Sequence, residues 1–312
     1  METRITTARD NAITEAVAIT EEMYQRYIDY LDVSPKTRET YTRAVRQFMK
    51  WIKANGISQP TRADILLYRD ELKQNHAPAT VQSYITATRL FFQWVELETG
   101  YKNPCEHIKG ATISKEHKRD ALTASQVKSI VSEMETETPQ GRRDYAIFVL
   151  MISCGLRTIE IVRADIGDLR PLGNDTILYI QGKGREEKAD FVKVPAKVEQ
   201  AIRASIADRD NKDDSQPLFT SLSNNSKGQR MTTRSISGIV KNAMRKAGYD
   251  SKRLSAHSTR HTAVTLALLG GQSLDEVRQF ARHRDISTTT IYAHNIDRMN
   301  NNCSNTVANA IF

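Results

Sequence analysis

Two blocks of helix-spaced apolar residues, parted by a basic stretch with no period, limit what this chain can fold into. In the first block Tyr41, Val45, Phe48, Met49 and Ile52 recur at helical intervals, as do Val81, Tyr84, Ile85, Thr88, Phe91, Phe92 and Val95. Such spacing places each set on one face of a helix. Pattern and punctuation predict four helices: Thr20–Leu31, one opened by Ser34-Pro35, one from Thr61 to about Gln74, and one from Pro78 that stops at Gly100 and Pro104. Ser before Pro is a helix start, because the hydroxyl caps a backbone N–H and proline suits the first turn. The period then lapses over 104–119, a segment carrying Lys109, Lys115, Lys118 and Arg119. A chain of 312 residues exceeds what one core usually organises. The reading is a flexible lead-in over 1–16, a helical domain over 17–103, a basic linker over 104–119, a second domain over 120–300 and a tail over 301–312.

In the second block, helices are predicted at Thr123–Glu137, Gly141–Cys154, Val198–Asp208, Thr232–Gly248, Ser255–Leu269, Ser273–Arg282 and Thr288–His294. Two β-rich runs, Thr176–Gln181 and Asp190–Val194, flank Gly182-Lys183-Gly184-Arg185-Glu186, which reads as a hairpin. The fold class is therefore mainly α with a small antiparallel sheet.

Net charge is +8 and the pI about 9.3, a balance that favours an anionic partner, nucleic acid first. Cys105, Cys154 and Cys303 form no close pair, which argues against a disulfide framework. No apolar run reaches the ~18 residues a membrane helix needs. The N-terminus has no apolar signal core. A cytoplasmic, nucleoid-associated protein with no membrane partner is expected.

Four fragments carry chemistry: Cys154-Gly155-Leu156-Arg157-Thr158-Ile159-Glu160, Gly182-Lys183-Gly184, His257-Ser258-Thr259-Arg260-His261, and Ala281-Arg282-His283 with Tyr292 nine residues on from His283. Singly each has a plain alternative. Arg157 and Glu160 fit a surface ion pair at a helix start, Lys183 a solvated turn lysine, and Tyr292 a packing aromatic. Together they supply one nucleophile, two guanidiniums, an ammonium and imidazoles. Zinc is rejected, since Ser258 follows His257 where an H-E-x-x-H site has Glu. No cofactor is expected. Tyrosine has a high unperturbed pKa and needs help to attack, and neighbouring cations favour the phenolate.

The ordered set Arg157, Lys183, His257-x-x-Arg260, His283, Tyr292 resembles the tyrosine recombinase (phage integrase) family, over most of the chain. The resemblance implies a SAM-like four-helix core-binding domain followed by the tyrosine-recombinase catalytic domain. Residues 1–16 are too short for a separate arm-binding domain, so an Xer-type or mobile-element member without one is expected. It implies that Tyr292 attacks a DNA phosphate and leaves a 3′-phosphotyrosyl link. Arg157 and Arg260 would clamp the non-bridging oxygens, and Lys183 would protonate the leaving 5′-oxygen. His257 would take or hold the tyrosine proton, or bond the phosphate; His283 would add a phosphate bond, and Glu160 would orient its neighbours. The implied partners are double-stranded recombination sites and a homotetramer on two of them, from a free monomer or dimer, with the C-terminal tail docking in trans. Lys36, Arg38, Arg43, Arg89, Arg234, Lys241 and Arg245 are the basic residues expected against DNA, mostly at phosphates. The family often has Leu-Gly-His where this chain has Ala281-Arg282-His283; Arg282 would add a phosphate contact or point outward. Two other readings stay open: a type IB topoisomerase-like breakage and rejoining, and a non-catalytic DNA-binding regulator.

Overall fold

The structure is a computed structural model that describes residues 17–112, 120–182, 184–207 and 209–312. The chain divides into two units, Met1–Lys115 and Glu116–Phe312. The expected lead-in over 1–16 and the second half of the expected linker, 113–119, lie outside the described residues.

The first unit packs four helices: α1 (Glu21–Tyr30), α2 (Pro35–Ala54), α3 (Arg62–Asn75) and α4 (Pro78–Thr99). Their ends follow the local chemistry. Ser34 Oγ accepts from Thr37 N ahead of Pro35, Thr61 and Asp64 cap each other, and α4 stops at Gly100 with φ 73°, a left-handed turn that suits glycine. Val45, Phe48, Ile52, Phe91 and Phe92 are buried in one aromatic-rich core.

The segment expected to begin the linker belongs to this core. Cys105 and Ile108 are buried in it, and Arg89 donates to the carbonyls of both. Two isolated apolar residues are too sparse to show a period, yet enough to pin the segment down.

The second unit starts with α5 (Ala124–Ser132), α6 (Pro139–Cys154) and α7 (Thr158–Arg163). It continues through β1 (Leu169–Leu172), β2 (Asp175–Ile180), β3 (Asp190–Val194) and α8 (Ala196–Ala207). It ends with α9 (Thr233–Lys246), α10 (Ala256–Leu269), α11 (Leu274–Ala281), α12 (Ser287–Asn300) and α13 (Cys303–Ile311). The sheet is antiparallel in the order β1-β2-β3. Strand β1 was not expected: it is four residues long, contains Pro171 and is mostly exposed, an edge strand with no alternating signal. Helix α5 is shorter than its prediction. The polar run after it leads to Thr138, which caps α6. Helix α12 runs six residues past the expected His294 to Asn300. Among the described residues, no helix is long and apolar enough to cross a membrane.

Candidate active site

Helix α10 is buried along its first half, where Ser258, Thr259, Arg260, His261 and Thr262 all lie inside the protein. A polar helix segment stays inside only where its groups find partners. Arg260 is 2% exposed, and its Nη1 donates to the Gly155 carbonyl at 2.6 Å. Gly155 caps α6 in the left-handed region at φ 58°. A Cβ there would lie 3.1 Å from the Phe280 ring, so glycine both turns the chain and lets α11 approach. This turn aims Arg157 at the mouth of the same site. Arg157 N–H donates to Glu160 Oε2 at 2.8 Å, while its Nη1 donates to Glu160 Oε1 at 3.0 Å.

The surface ion pair considered for Arg157 and Glu160 is thus half internal: the Glu160 side chain is 1% exposed and that of Arg157 30%. Removing one partner of such a pair costs more than removing a surface pair.

Tyr292, on α12, is 5% exposed and packs with Val264, Val277 and Ala281. Its hydroxyl shares a short hydrogen bond with Nδ1 of His261, whose ring lies 5.4 Å from the phenol ring. On α10 the His257 ring stands edge-on to His261 at 4.6 Å, one helical turn earlier. His283 stacks on Tyr292 at 6.3 Å, and its Nδ1 is 2.9 Å from the buried Thr289 Oγ1. The i, i+4 spacing of His257 and His261 is visible in sequence, and His257, the residue expected to take the tyrosine proton, is the outer of the two rings. The inner ring, His261, is the one at the tyrosine.

Burial raises the Tyr292 pKa to about 12, and the nearby Arg260 and Arg157 only partly offset it. The expectation that the cations favour a phenolate is outweighed here: at neutral pH the phenol keeps its proton. Burial, followed by repulsion from Arg157 and Arg282, lowers Arg260 to about 9, so it still carries its charge at pH 7. Among the described residues Arg260 Nη2 is buried without a hydrogen-bond partner. Crowded like charges with an open donor are suited to an anion.

Arg282 neither points outward nor reaches into the cleft. It caps α11 at φ 52°, ψ 44°, a left-handed conformation that costs a non-glycine residue about 1 kcal/mol. Its side chain is 9% exposed and pairs with Glu160 Oε2 at 3.0 Å.

A cleft of ≈ 690 Å³ opens at this centre. Arg157, His257, Arg234 and Lys241 line it, the last also paired with Asp250 at 3.0 Å. Arg245 is exposed on α9, and its Nη2 bonds Asn242. In the first unit Arg38 and Arg43 line a second cleft, with the Nε of Arg38 donating to the Ile28 carbonyl at 3.1 Å. Lys36 is exposed and paired with Glu39. Arg89 is spent on the Cys105 and Ile108 carbonyls, and Gly110, two residues on, lies close against Gln82 on the polar face of α4. Lys183 lies outside the described residues. The hairpin around it is held at its base, where Arg163 donates to the Gly182 carbonyl at 3.1 Å and Lys188 bridges Asp165 and Asp168.

Residues 120–299 match the family described as "Phage integrase family", and residues 21–99 match "Phage integrase, N-terminal SAM-like domain". The chain is 30% identical over 276 residues to tyrosine recombinase XerC of Pelobacter propionicus, covering 86% of this chain and 88% of that one. It is 27% identical over 303 residues to a tyrosine recombinase of Synechococcus elongatus, with coverage of 90% and 94%. In fold it is similar to the XerH site-specific recombinase bound to a palindromic difH substrate, with a TM-score of 0.69 at 18% identity, over 82% of this chain and 76% of that one.

Proposed function

From the premise that the chain belongs to the phage integrase family and is a tyrosine site-specific recombinase, we propose that Tyr292 cuts and rejoins DNA at the centre formed by Arg157, His257, Arg260, His261 and His283. The observation that carries this reading is the buried phenol, hydrogen-bonded to His261 within a ring of guanidiniums. The Tyr292 oxygen forms a bond to phosphorus as the bond to the 5′-oxygen breaks, giving a 3′-phosphotyrosyl link. Arg157 and Arg260 bind the non-bridging oxygens, where planar forked donors fit best. The phenol donates its proton to His261 Nδ1. Lys183 delivers a proton to the departing 5′-oxygen. His257, on the cleft wall, and His283 bond the phosphate. Reversal on another strand's 5′-hydroxyl completes exchange without metal or nucleotide.

His261 as proton acceptor has a measurable signature. With Tyr292 held near 12, the phenolate is rare at neutral pH and must be formed by proton transfer. With the acceptor in place, single-turnover cleavage by the wild type is expected not to need alkali to form the phenolate. His261→Phe keeps an aromatic ring and loses the acceptor. Its neutral-pH rate is expected to drop about 10²–10⁴-fold and to climb about tenfold per pH unit in alkali. A wild-type pH profile in His261→Phe removes His261 from the chemistry.

Double-stranded DNA is the partner, and the salt dependence of binding is expected to be steep because Arg234, Lys241 and the first-unit arginines meet phosphates. A homotetramer on two sites, with the C-terminal helix docking on a neighbour, is supported by α13 itself: Val307, Ile311 and Phe312 are exposed. Deleting residues after 300 is expected to impair assembly on two sites far more than binding to one. Unchanged assembly contradicts docking in trans. The setting we propose is integration and excision of a mobile element. Amplification across the junction of an excised circle is expected with the wild type and not with Tyr292→Phe. Two-site recombination, set against simple relaxation of supercoils, separates this reading from a topoisomerase.

A further inference from the structure

We propose that Arg282 is a positioning residue that sets the spacing of the phosphate clamp before DNA arrives, through the carboxylate it shares with Arg157. The proposal rests on the assignment of Arg157 and Arg260 as that clamp.

Glu160 is almost fully buried and holds two arginines at once: Oε1 accepts from Arg157 Nη1 at 3.0 Å, and Oε2 from Arg282 Nη2 at 3.0 Å. The same Arg282 Nη2 reaches the Gly155 carbonyl at 3.1 Å. That carbonyl also receives Arg260 Nη1 at 2.6 Å. Arg282 Nη1 donates back to Phe280 O at 2.9 Å. One guanidinium therefore touches the acceptor of each clamp arginine while anchored in the turn that leads directly into His283.

The backbone shows that this placement is held by its surroundings. Residue 282 stands at φ 52°, where glycine is favoured and strain persists only if the surroundings over-determine it. A glycine would make the same turn without strain and without the side chain. The protein keeps the strained conformation and uses the side chain. Arg157 and Arg282 share the one carboxylate and Arg260 stands beside them on the Gly155 carbonyl, which leaves the centre cationic and unbalanced until a phosphate enters. Without Arg282, Glu160 answers to Arg157 alone, and the link from α7 to the His283 turn is gone. Misplacement of a clamp by a fraction of an ångström lowers the rate of the chemical step without weakening the many contacts that bind DNA.

The test compares wild type, Arg282→Gly, Arg282→Asn and Arg282→Lys on a nicked suicide duplex. The readouts are single-turnover cleavage at saturating protein, DNA affinity by titration and the thermal midpoint. Asn tolerates the left-handed turn and covers the case in which Gly fails to fold. Arg282→Gly and Arg282→Asn are expected to bind DNA as the wild type does and to cleave about tenfold or more slowly, with Lys recovering part of the rate. Adding Glu160→Gln to Arg282→Gly is expected to slow cleavage by less than the product of the two single effects, since both substitutions break the Arg282–Glu160 link. Cleavage within about twofold of wild type by Arg282→Gly or Arg282→Asn overturns the proposal. So does a loss of rate matched by losses of affinity and midpoint and reversed by cooling, which marks a purely structural role. If Arg260→Ala cleaves normally, the clamp assignment fails, and this proposal fails with it; a normal Arg282→Gly beside a crippled Arg260→Ala overturns the Arg282 proposal alone.

Discussion

Tyr292→Phe is expected to bind its DNA site with wild-type affinity and to yield no covalent protein–DNA product. The substitution removes the hydroxyl oxygen, and with it the hydrogen bond to His261. The ring, its stacking on His283 and its packing against Val264, Val277 and Ala281 all remain. The fold is therefore retained, and the effect is confined to chemistry. Loss of an essential nucleophile lowers the rate on the order of 10⁴-fold or more, which places adducts below detection on a denaturing gel. The variant is also expected to lose the alkaline ionisation of the residue with a pKa near 12, readable by ultraviolet difference titration. A persistent adduct means that another residue attacks.

Arg260→Ala is expected to slow cleavage about 10²–10³-fold. The side chain is buried against Gly155 O, with its Nη2 open, so charge developing on a phosphate oxygen would meet a donor that needs no reorganisation. Truncation also leaves a cavity, and Arg260→Met fills most of it without charge. Equal loss of cleavage in both variants assigns the effect to the guanidinium. Recovery in Arg260→Met assigns it to packing and argues against the clamp. Stability need not fall with the charge: Arg260 sits among Arg157 and Arg282, and burial already weighs against its charged form.

Much of this site can be read from the chain before folding. Ser34-Pro35, Thr61 and Gly100 mark helix ends because capping is local chemistry, and α2, α3 and α4 begin or end there. Arg157, Arg260, His283 and Tyr292 stand in a recognisable order, and the fold gathers them at one centre. Harder to read is anything that depends on which side chain is inside. The i, i+4 spacing of His257 and His261 cannot tell which ring faces Tyr292; the packing of α12 against α10 decides that. Arg282 in a left-handed turn contradicts local preference, and only the buried Glu160, 122 residues earlier in the chain, explains it. Cys105 and Ile108 illustrate the same limit, since two apolar residues make no period yet fix a segment to a core. The tyrosine's acidity runs the same way: charges are visible in sequence, whereas the burial that outweighs them is not.

The most direct test of the central claim is to trap the wild type on a nicked suicide duplex, digest the adduct with protease and identify the nucleotide-bearing peptide by mass spectrometry. The account predicts a single modified residue, Tyr292, joined to a 3′-phosphate with the 5′-hydroxyl released. A modified residue other than Tyr292, or a link to a 5′-phosphate, would contradict it.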